Sequence, residues 1–421
     1  MMNEPMQRAT HAVSSGMFGA RILELADRLA THSEMTGGLT CTYLSPAHRA
    51  VAKELQELMQ KAGLDATIDA VGNVTGRYRS ASPNAKALII GSHYDTVVNA
   101  GRYDGRLGIL TALVIAEHLQ RAGQALPFHL DVIAFAEEEG VRFSAPYISS
   151  SAVAGRFDQT LLQRCDANGM SLADALQEVG TRLEDIAALA RRPQDLIGYL
   201  EVHIEQGPVL LNRNLPAGVV TAIAGCARHQ VMVEGSAGHA GTVPMTLRHD
   251  AAAAAAEIVL ALERRCSAEQ GLVGTVGKLA VPGGAINVIP ARCELTLDIR
   301  AGEDAVRAAA ERDVLAEIAR IAARRGVTAD VVELSRTPAI SCAPRLQALM
   351  AQALARAGVE PLHLPSGAGH DAVMFSGLTE IGMLFVRCGN GGISHDPRET
   401  VTADDADLGA RVLLDIILSL P

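Results

Sequence analysis

Two short, nearly continuous apolar runs constrain the fold more than anything else in the chain. They are Lys86 to Gly91 (KALIIG) and Phe128 to Ala136 (FHLDVIAFA). A strand with apolar side chains on both sides has no solvent face, so it belongs inside a sheet that helices cover on both faces. The surrounding pattern supplies those helices: amphipathic stretches from Gly19 to about Thr31, from Pro46 to Ala62 with Gly63 as the stop, and from Leu107 to Gln120. Ala66 to Tyr78 reads as a strand pair broken at Gly72-Asn73. Such alternation predicts an α/β sheet. Each run ends in a polar cluster, GSHYDT or the acidic triplet Glu137-Glu138-Glu139. Those clusters fall just past the carboxyl ends of strands, where open α/β sheets hold their ligands.

The pattern changes after Pro208. Strand Gln230 to Glu234, helix Arg248 to Cys266, strands Thr275 to Val281 and Cys293 to Arg300, helix Glu303 to Arg325 and strand Asp330 to Leu334 follow one another. This order suggests a small α+β sandwich inserted into the larger domain. The alanine tract Ala251 to Ala256 is a helix former, with Asp250 expected in its first turn. The last segment returns to a strand (Gly382 to Arg387) and a closing helix (Asp404 to Leu420). The expected division is 1–216 and 335–421 for one domain and 217–334 for the insert. A chain of 421 residues is in any case longer than one core usually serves.

Composition excludes several classes of function. A formal net charge of −10 and no basic stretch argue against a nucleic-acid partner. The N-terminal MMNEPMQRATHAVSSG has no apolar h-region, and no run spans a bilayer, so no membrane association and a cytoplasmic location are expected. The absence of Trp removes the usual stacking platform for sugars and bases. The 7 cysteines are widely spaced without a C-x-x-C, which reads as reduced, mostly packed thiols.

The remaining signal is a set of metal-type residues spread over about three hundred positions: His93 and Asp95 (GSHYDT), Asp104 (GRYDGRLG), Glu137 to Glu139, His203 (EVHIEQGP) and His395 (GGISHDP). Each has an ordinary alternative. A single histidine is commonly structural, Asp104 beside Gly105 suits a turn, and His203 could pair with Glu201 or Glu205 along a strand. Three carboxylates at one strand end repel each other unless a cation is present. Adjacent acids also allow one to bind metal while its neighbour takes a proton from the attacking water. Asp95 is placed to hold the second nitrogen of the His93 imidazole.

GSHYDTVVNAGRYDGRLG, AFAEEEGVRF, LEVHIEQGP, GHAGTVPM, GGAINVIP, LDIR, SGAGHDA and GGISHDP closely resemble the amidase, hydantoinase/carbamoylase group of the M20 metallopeptidase-like hydrolases. The motifs run in family order from about Arg21 to Leu418. The resemblance implies a mixed-sheet di-metal catalytic domain with helices on both faces, plus an inserted α+β, ferredoxin-like lid and dimerisation domain, and hence a homodimer. It implies one metal held by His93 and His203, another by Glu139 and His395, and Asp104 bridging, with Glu138 as the general base. Two divalent ions follow, Zn2+ first, with Mn2+, Co2+ or Ni2+ as alternatives. Gln206, Asn287 and Arg300 match family substrate contacts, and Gly369 and His370 line the site. The resemblance also implies that His239, whose equivalent in relatives often reaches in from the partner subunit, helps polarise the scissile carbonyl. The substrate so implied is a small ureido carboxylate of the N-carbamoyl-L-amino-acid type. Allantoate is the second candidate, then N-carbamoyl-β-alanine or the peptides and acylated amino acids of peptidases and aminoacylases. A non-catalytic amino-acid-binding relative is the alternative of a different class.

Overall fold

The computed structural model describes residues 16–421. Residues 1–15, which hold nearly all of the stretch read for a secretion signal, lie outside the described residues. The chain divides into two compact units. The first comprises residues up to Val220, then Cys342–His363 and His370–Pro421; the second comprises Thr221–Ser341 and Leu364–Gly369.

Seven strands of the first unit's mixed sheet lie in the order Asp65–Ile68, Val74–Tyr78, His129–Phe135, Ala87–His93, Leu196–Ile204, Ile381–Val386 and Ala217–Ile223. The central four are parallel, and the flanking pairs are antiparallel. Every residue of Ala87–His93 and of His129–Phe135 is buried, as runs without a solvent face require. The helices Arg106–Arg121, Pro344–Arg356 and Ala403–Ser419 cover one face. Gly108 sits so close that a Cβ would stand 2.1 Å from the Val202 carbonyl, and Gly409 lies against Val202 and Val386. On the opposite face the short helix Ala372–Phe375 stacks Phe375 on Tyr199 at 4.4 Å. Pro46–Lys61 is capped by the Ser45 hydroxyl and packs on the outer antiparallel pair.

The second unit is a strand–helix–strand–strand–helix–strand arrangement around its own core. Gly225–Glu234 lies between Arg292–Ala301 and Thr328–Thr337, and Leu272–Thr275 borders Arg292–Ala301 on the far side. The four strands thus take the spatial order fourth, first, third, second, with both helices, Ala251–Ser267 and Asp304–Arg325, on one face. Along Arg292–Ala301 the side chains alternate: Cys293, Leu295, Leu297, Ile299 and Ala301 face the helices, while Glu294, Thr296, Asp298 and Arg300 face away.

Some sequence expectations need correction. Asp250 is not in the first turn of its helix; it is the N-cap, accepting the N–H groups of Ala252 and Ala253. The strand expected over Thr275 to Val281 splits into Leu272–Thr275 and Leu279–Ala280. Between them the Lys278 N–H goes to the Thr296 hydroxyl instead of a ladder carbonyl. The boundary read at 216/217 coincides with the start of strand Ala217–Ile223, which runs from the first unit into the second, and that read at 334 falls inside Thr328–Thr337. Residues 364–369 return to the second unit, where the Ala224 N–H bonds the Ser366 carbonyl. Six cysteines are buried, Cys165 is exposed, and none is paired in a disulfide. Among the described residues, no helix is long and apolar enough to cross a membrane.

Candidate metal centre

The site grows from three strand ends of the first unit. His93 ends its strand, and Gly105 (φ +66°) lies directly over its ring, where a Cβ would meet imidazole atoms at 2.5 Å. Only glycine fits there, so the loop carrying Asp104 folds down onto the histidine. His203 arrives from the adjacent strand Leu196–Ile204, and its Nδ1 donates to the Ile204 carbonyl at 2.9 Å. That bond leaves the Nε2 lone pair facing the cluster. The two Nε2 atoms stand 3.5 Å apart. Asp104 Oδ1 lies 3.5 Å from His93 and 3.3 Å from His203, and no hydrogen-bond donor is aligned on it.

The other oxygen of Asp104 faces a second group. His395 Nε2 is 3.1 Å from Oδ2 and 3.4 Å from Glu139 Oε1. One buried carboxylate is therefore shared by two constellations with metal-ligand geometry, His93–Asp104–His203 and Asp104–Glu139–His395. Glu138 joins a further group with His93 and Glu139. Asp95 contacts His93 Nδ1 at 3.4 Å, and its carboxylate also accepts the backbone N–H groups of Glu138 and Glu139 at 3.1–3.2 Å. It thus ties the first histidine to the acidic turn. Gln206 Nε2 donates to Asp104 Oδ2 at 2.8 Å. Gln206 and His395 both hold left-handed backbone, φ +54° and +55°, a conformation unfavourable for side chains of their size.

The electrostatics are those of a crowded anionic pocket. Burial raises the Glu138 carboxyl well above its ordinary range, with Glu139 adding to it. Burial and the Asp104 charge push Glu139 up to about 7. His203, buried, is lowered to about 4 and stays neutral, as a ligand nitrogen must. A hydrogen bond to Asp104 lifts His395 to about 9 against the effect of burial. The orphaned Asp104 Oδ1, with its mixed imidazole and carboxylate neighbours, fits divalent cations.

Other expected residues fall elsewhere. His370 belongs to the first unit, its ring edge-on to His203 at 4.5 Å. Glu205, offered as a partner for His203, instead accepts the Val209 and Leu210 N–H groups at the start of helix Val209–Arg213. His239, Asn287, Arg300 and Gly369 belong to the second unit. There, strand pair Gly238–His239 and Val288–Ile289 brings His239 beside Asn287, whose carbonyl accepts the Ala240 N–H at 2.9 Å. Arg300 lies on the sheet face away from the helices, in a cavity of about 610 Å³ lined also by Arg228, Thr275, Lys278 and Thr296. Asp298 grips its guanidinium with two bonds of 2.9 Å, and Arg300 Nη1 donates to the Gly367 carbonyl.

Three polar residues at the centre, Asp371, Ser394 and Glu399, were not singled out in the sequence, and Glu201, offered as a partner for His203, has other partners. Glu201 is fully buried two residues before His203, on the same strand face, and accepts from Ser92, Tyr199 and the Ala372 N–H. Asp371 is fully buried next to His370. Glu399 and Ser394 flank His395. Strand parity alone points to Glu201; no comparable signal marks the others.

The family model for "Peptidase family M20/M25/M40" matches residues 89–419. An allantoate deiminase of Glycine max is 41% identical over 405 residues, covering 89% of this chain and 83% of the relative. An N-carbamoyl-L-amino acid amidohydrolase of Geobacillus stearothermophilus is 36% identical over 400 residues, covering 95% and 97%. Among solved structures, an amidase of the hydantoinase/carbamoylase family from Burkholderia multivorans superposes with a TM-score of 0.90 at 30% identity, covering 95% of this chain and 97% of that one.

Proposed function

The chain belongs to peptidase family M20/M25/M40, and from that premise we propose that it is a metal-dependent amidohydrolase cleaving the carbamoyl C–N bond of N-carbamoyl-L-amino acids. The observation that carries this reading is the split carboxylate of Asp104, one oxygen toward His93 and His203 and the other toward His395 and Glu139. His93, His203, Glu139 and His395 would be the terminal ligands and Asp104 the bridge. Bound there, two divalent cations would polarise the ureido carbonyl and acidify a water.

The protein's own groups do the rest. Glu138 takes the proton of the attacking water and returns it to the departing nitrogen. Burial, with the Glu139 charge beside it, raises its carboxyl above the ordinary range, which favours its holding a proton between the two steps. Asp95 fixes the turn that aims it, and Gln206 orients Asp104 from above. His239 donates toward the oxyanion. Arg300 forks onto the substrate carboxylate, with Asn287, Gly369 and His370 completing recognition. The net reaction consumes one water and releases ammonia, carbon dioxide and the amino acid.

Allantoate is the second reading, favoured by the soybean relative named above, because two ureido groups and a carboxylate present the same chemistry. The second unit would also carry the dimer contact. Metal analysis with an ammonia-release assay on N-carbamoyl-methionine, allantoate and N-carbamoyl-β-alanine tests the proposal. The highest kcat/KM is expected on N-carbamoyl-methionine. Two bound metals with no ammonia from any of the three would defeat it.

A further inference from the structure

Glu399 carries none of the motifs described above, yet the loops bearing Asp104 and His395 meet on it. It is 3% exposed. Its Oε1 accepts the Tyr103 N–H at 2.8 Å and the Asp104 N–H at 3.2 Å. Its Oε2 lies 2.8 Å from the Ser394 hydroxyl. The carboxylate also fills the space over Gly101, where a Cβ would stand 2.2 Å from Oε1. Two backbone N–H groups and a hydroxyl thus converge on the acceptor oxygens of this one side chain.

Ser394 has a second acceptor. Its Oγ is 3.0 Å from Asp104 Oδ2, the oxygen that faces His395. A hydroxyl carries one proton, so it can donate to Asp104 or to Glu399 but not to both. The two acceptors are not equivalent under the bridging reading proposed above. Gln206 Nε2 already donates to Oδ2 at 2.8 Å, so a cation on the His395 side needs the remaining lone pair, which a hydrogen bond from Ser394 would occupy.

We infer that Ser394 and Glu399 form a hydrogen-bond relay that clears the bridging carboxylate for metal. When a cation takes Asp104 Oδ2, the Ser394 hydroxyl rotates to Glu399, whose other oxygen holds the Asp104 backbone in place. No bond is broken; one hydroxyl exchanges acceptors. Glu399 is then a positioning residue acting through Asp104. The inference rests on the reading of Asp104 as the bridge.

The relay predicts a result that simple loss of negative charge does not. In Glu399→Gln the amide oxygen would stay with the two backbone N–H groups, leaving its NH2 to donate to Ser394 Oγ. The serine proton then has only Asp104 Oδ2 as acceptor, in competition with the cation. Full-length protein stripped by chelation and titrated with Zn2+ against a chromophoric chelator should show the weaker of two sites losing about tenfold to a hundredfold in affinity. Adding Ser394→Ala to Glu399→Gln should recover most of that loss, and Ser394→Ala alone should remain close to wild type. Thermal unfolding of the metal-free proteins checks that each variant folds. Should Glu399→Gln not fold, Glu399→Asp keeps the charge but falls short of Ser394, and the relay requires weakened binding there too. Unchanged affinity in the folded glutamate variant, or a double variant as weak as Glu399→Gln, overturns the relay. Wild-type protein that binds fewer than two Zn2+ would overturn the bridging assignment itself, and the relay with it.

Discussion

The residues singled out in the sequence sit in different surroundings in the two units. In the first, His93, Asp95, Asp104, Glu138 and His203 are all buried, and each is tied to another by contacts near 3 Å. In the second, His239 and Asn287 are exposed, and Arg300 is half-buried on an uncovered sheet face. Burial strengthens electrostatic interactions and holds ligand atoms rigidly, which bond-breaking chemistry needs. Exposure leaves side chains free to meet a solute and to be changed without loss of the fold. Under the proposed assignment, the reaction type would be fixed in the interior of the first unit and substrate choice at the surface of the second.

The largest test of that division is Glu138→Gln. It should lower kcat by about 10²–10⁴-fold while leaving metal content intact by elemental analysis. Activity near wild type would remove the base from the interior and dissolve the contrast.

The interior should also be the acid-sensitive part. His48, on the helix Pro46–Lys61, stacks on Tyr94 at 4.4 Å, bonds the Ala136 carbonyl at 2.7 Å, and is lowered by burial to about 4. An unfolded histidine titrates near 6.5. The unfolded chain therefore binds a proton between those values that the folded chain refuses. The contribution of His48 to stability is intact above pH 6.5 and falls as pH drops toward 4, by about 3 kcal/mol over the window. Denaturant unfolding of His48→Gln should be flatter in pH than wild type. Parallel curves for the two proteins would assign the acid sensitivity elsewhere.

Arg300→Lys probes the surface. Asp298 and the Gly367 carbonyl hold the guanidinium in one orientation that an ammonium cannot reproduce. KM for a ureido carboxylate should rise about tenfold or more with kcat little changed, and an uncharged ureido analogue should be unaffected. A fall in kcat alone would place Arg300 among the interior functions. The smallest effect is expected from Asp250→Ala, which removes two cap bonds and should cost about 1 kcal/mol of stability without altering metal binding.

Much of the first unit was readable because its signals are local. An apolar run ending in His93 or in Glu137 declares both the strand and the end where chemistry sits. In the second unit both helices and the strictly alternating Arg292–Ala301 were plain, whereas Gly225–Glu234 and Thr328–Thr337 were read at about half their length. What escaped depends on contacts between residues far apart in sequence. Glu399 reaches Asp104 across 295 positions, and an acid four residues after His395 looks like any loop acid until the fold closes. The nearness of His239 to Asn287 rests on two strands of only two residues each, too short for periodicity to register. The return of residues 364–369 to the second unit has no compositional mark at all.

That long reach has a consequence for how the protein is made. His93, Asp104 and His203 precede Val220, whereas Ser394, His395 and Glu399 lie in the last thirty or so residues. On the proposed assignment, a chain still being synthesised holds three candidate ligands for one cation long before it holds a third for the second. Cation loading would then follow that order of synthesis. A chain that stalls after its insert would carry a half-equipped centre, able to sequester one ion and unable to work.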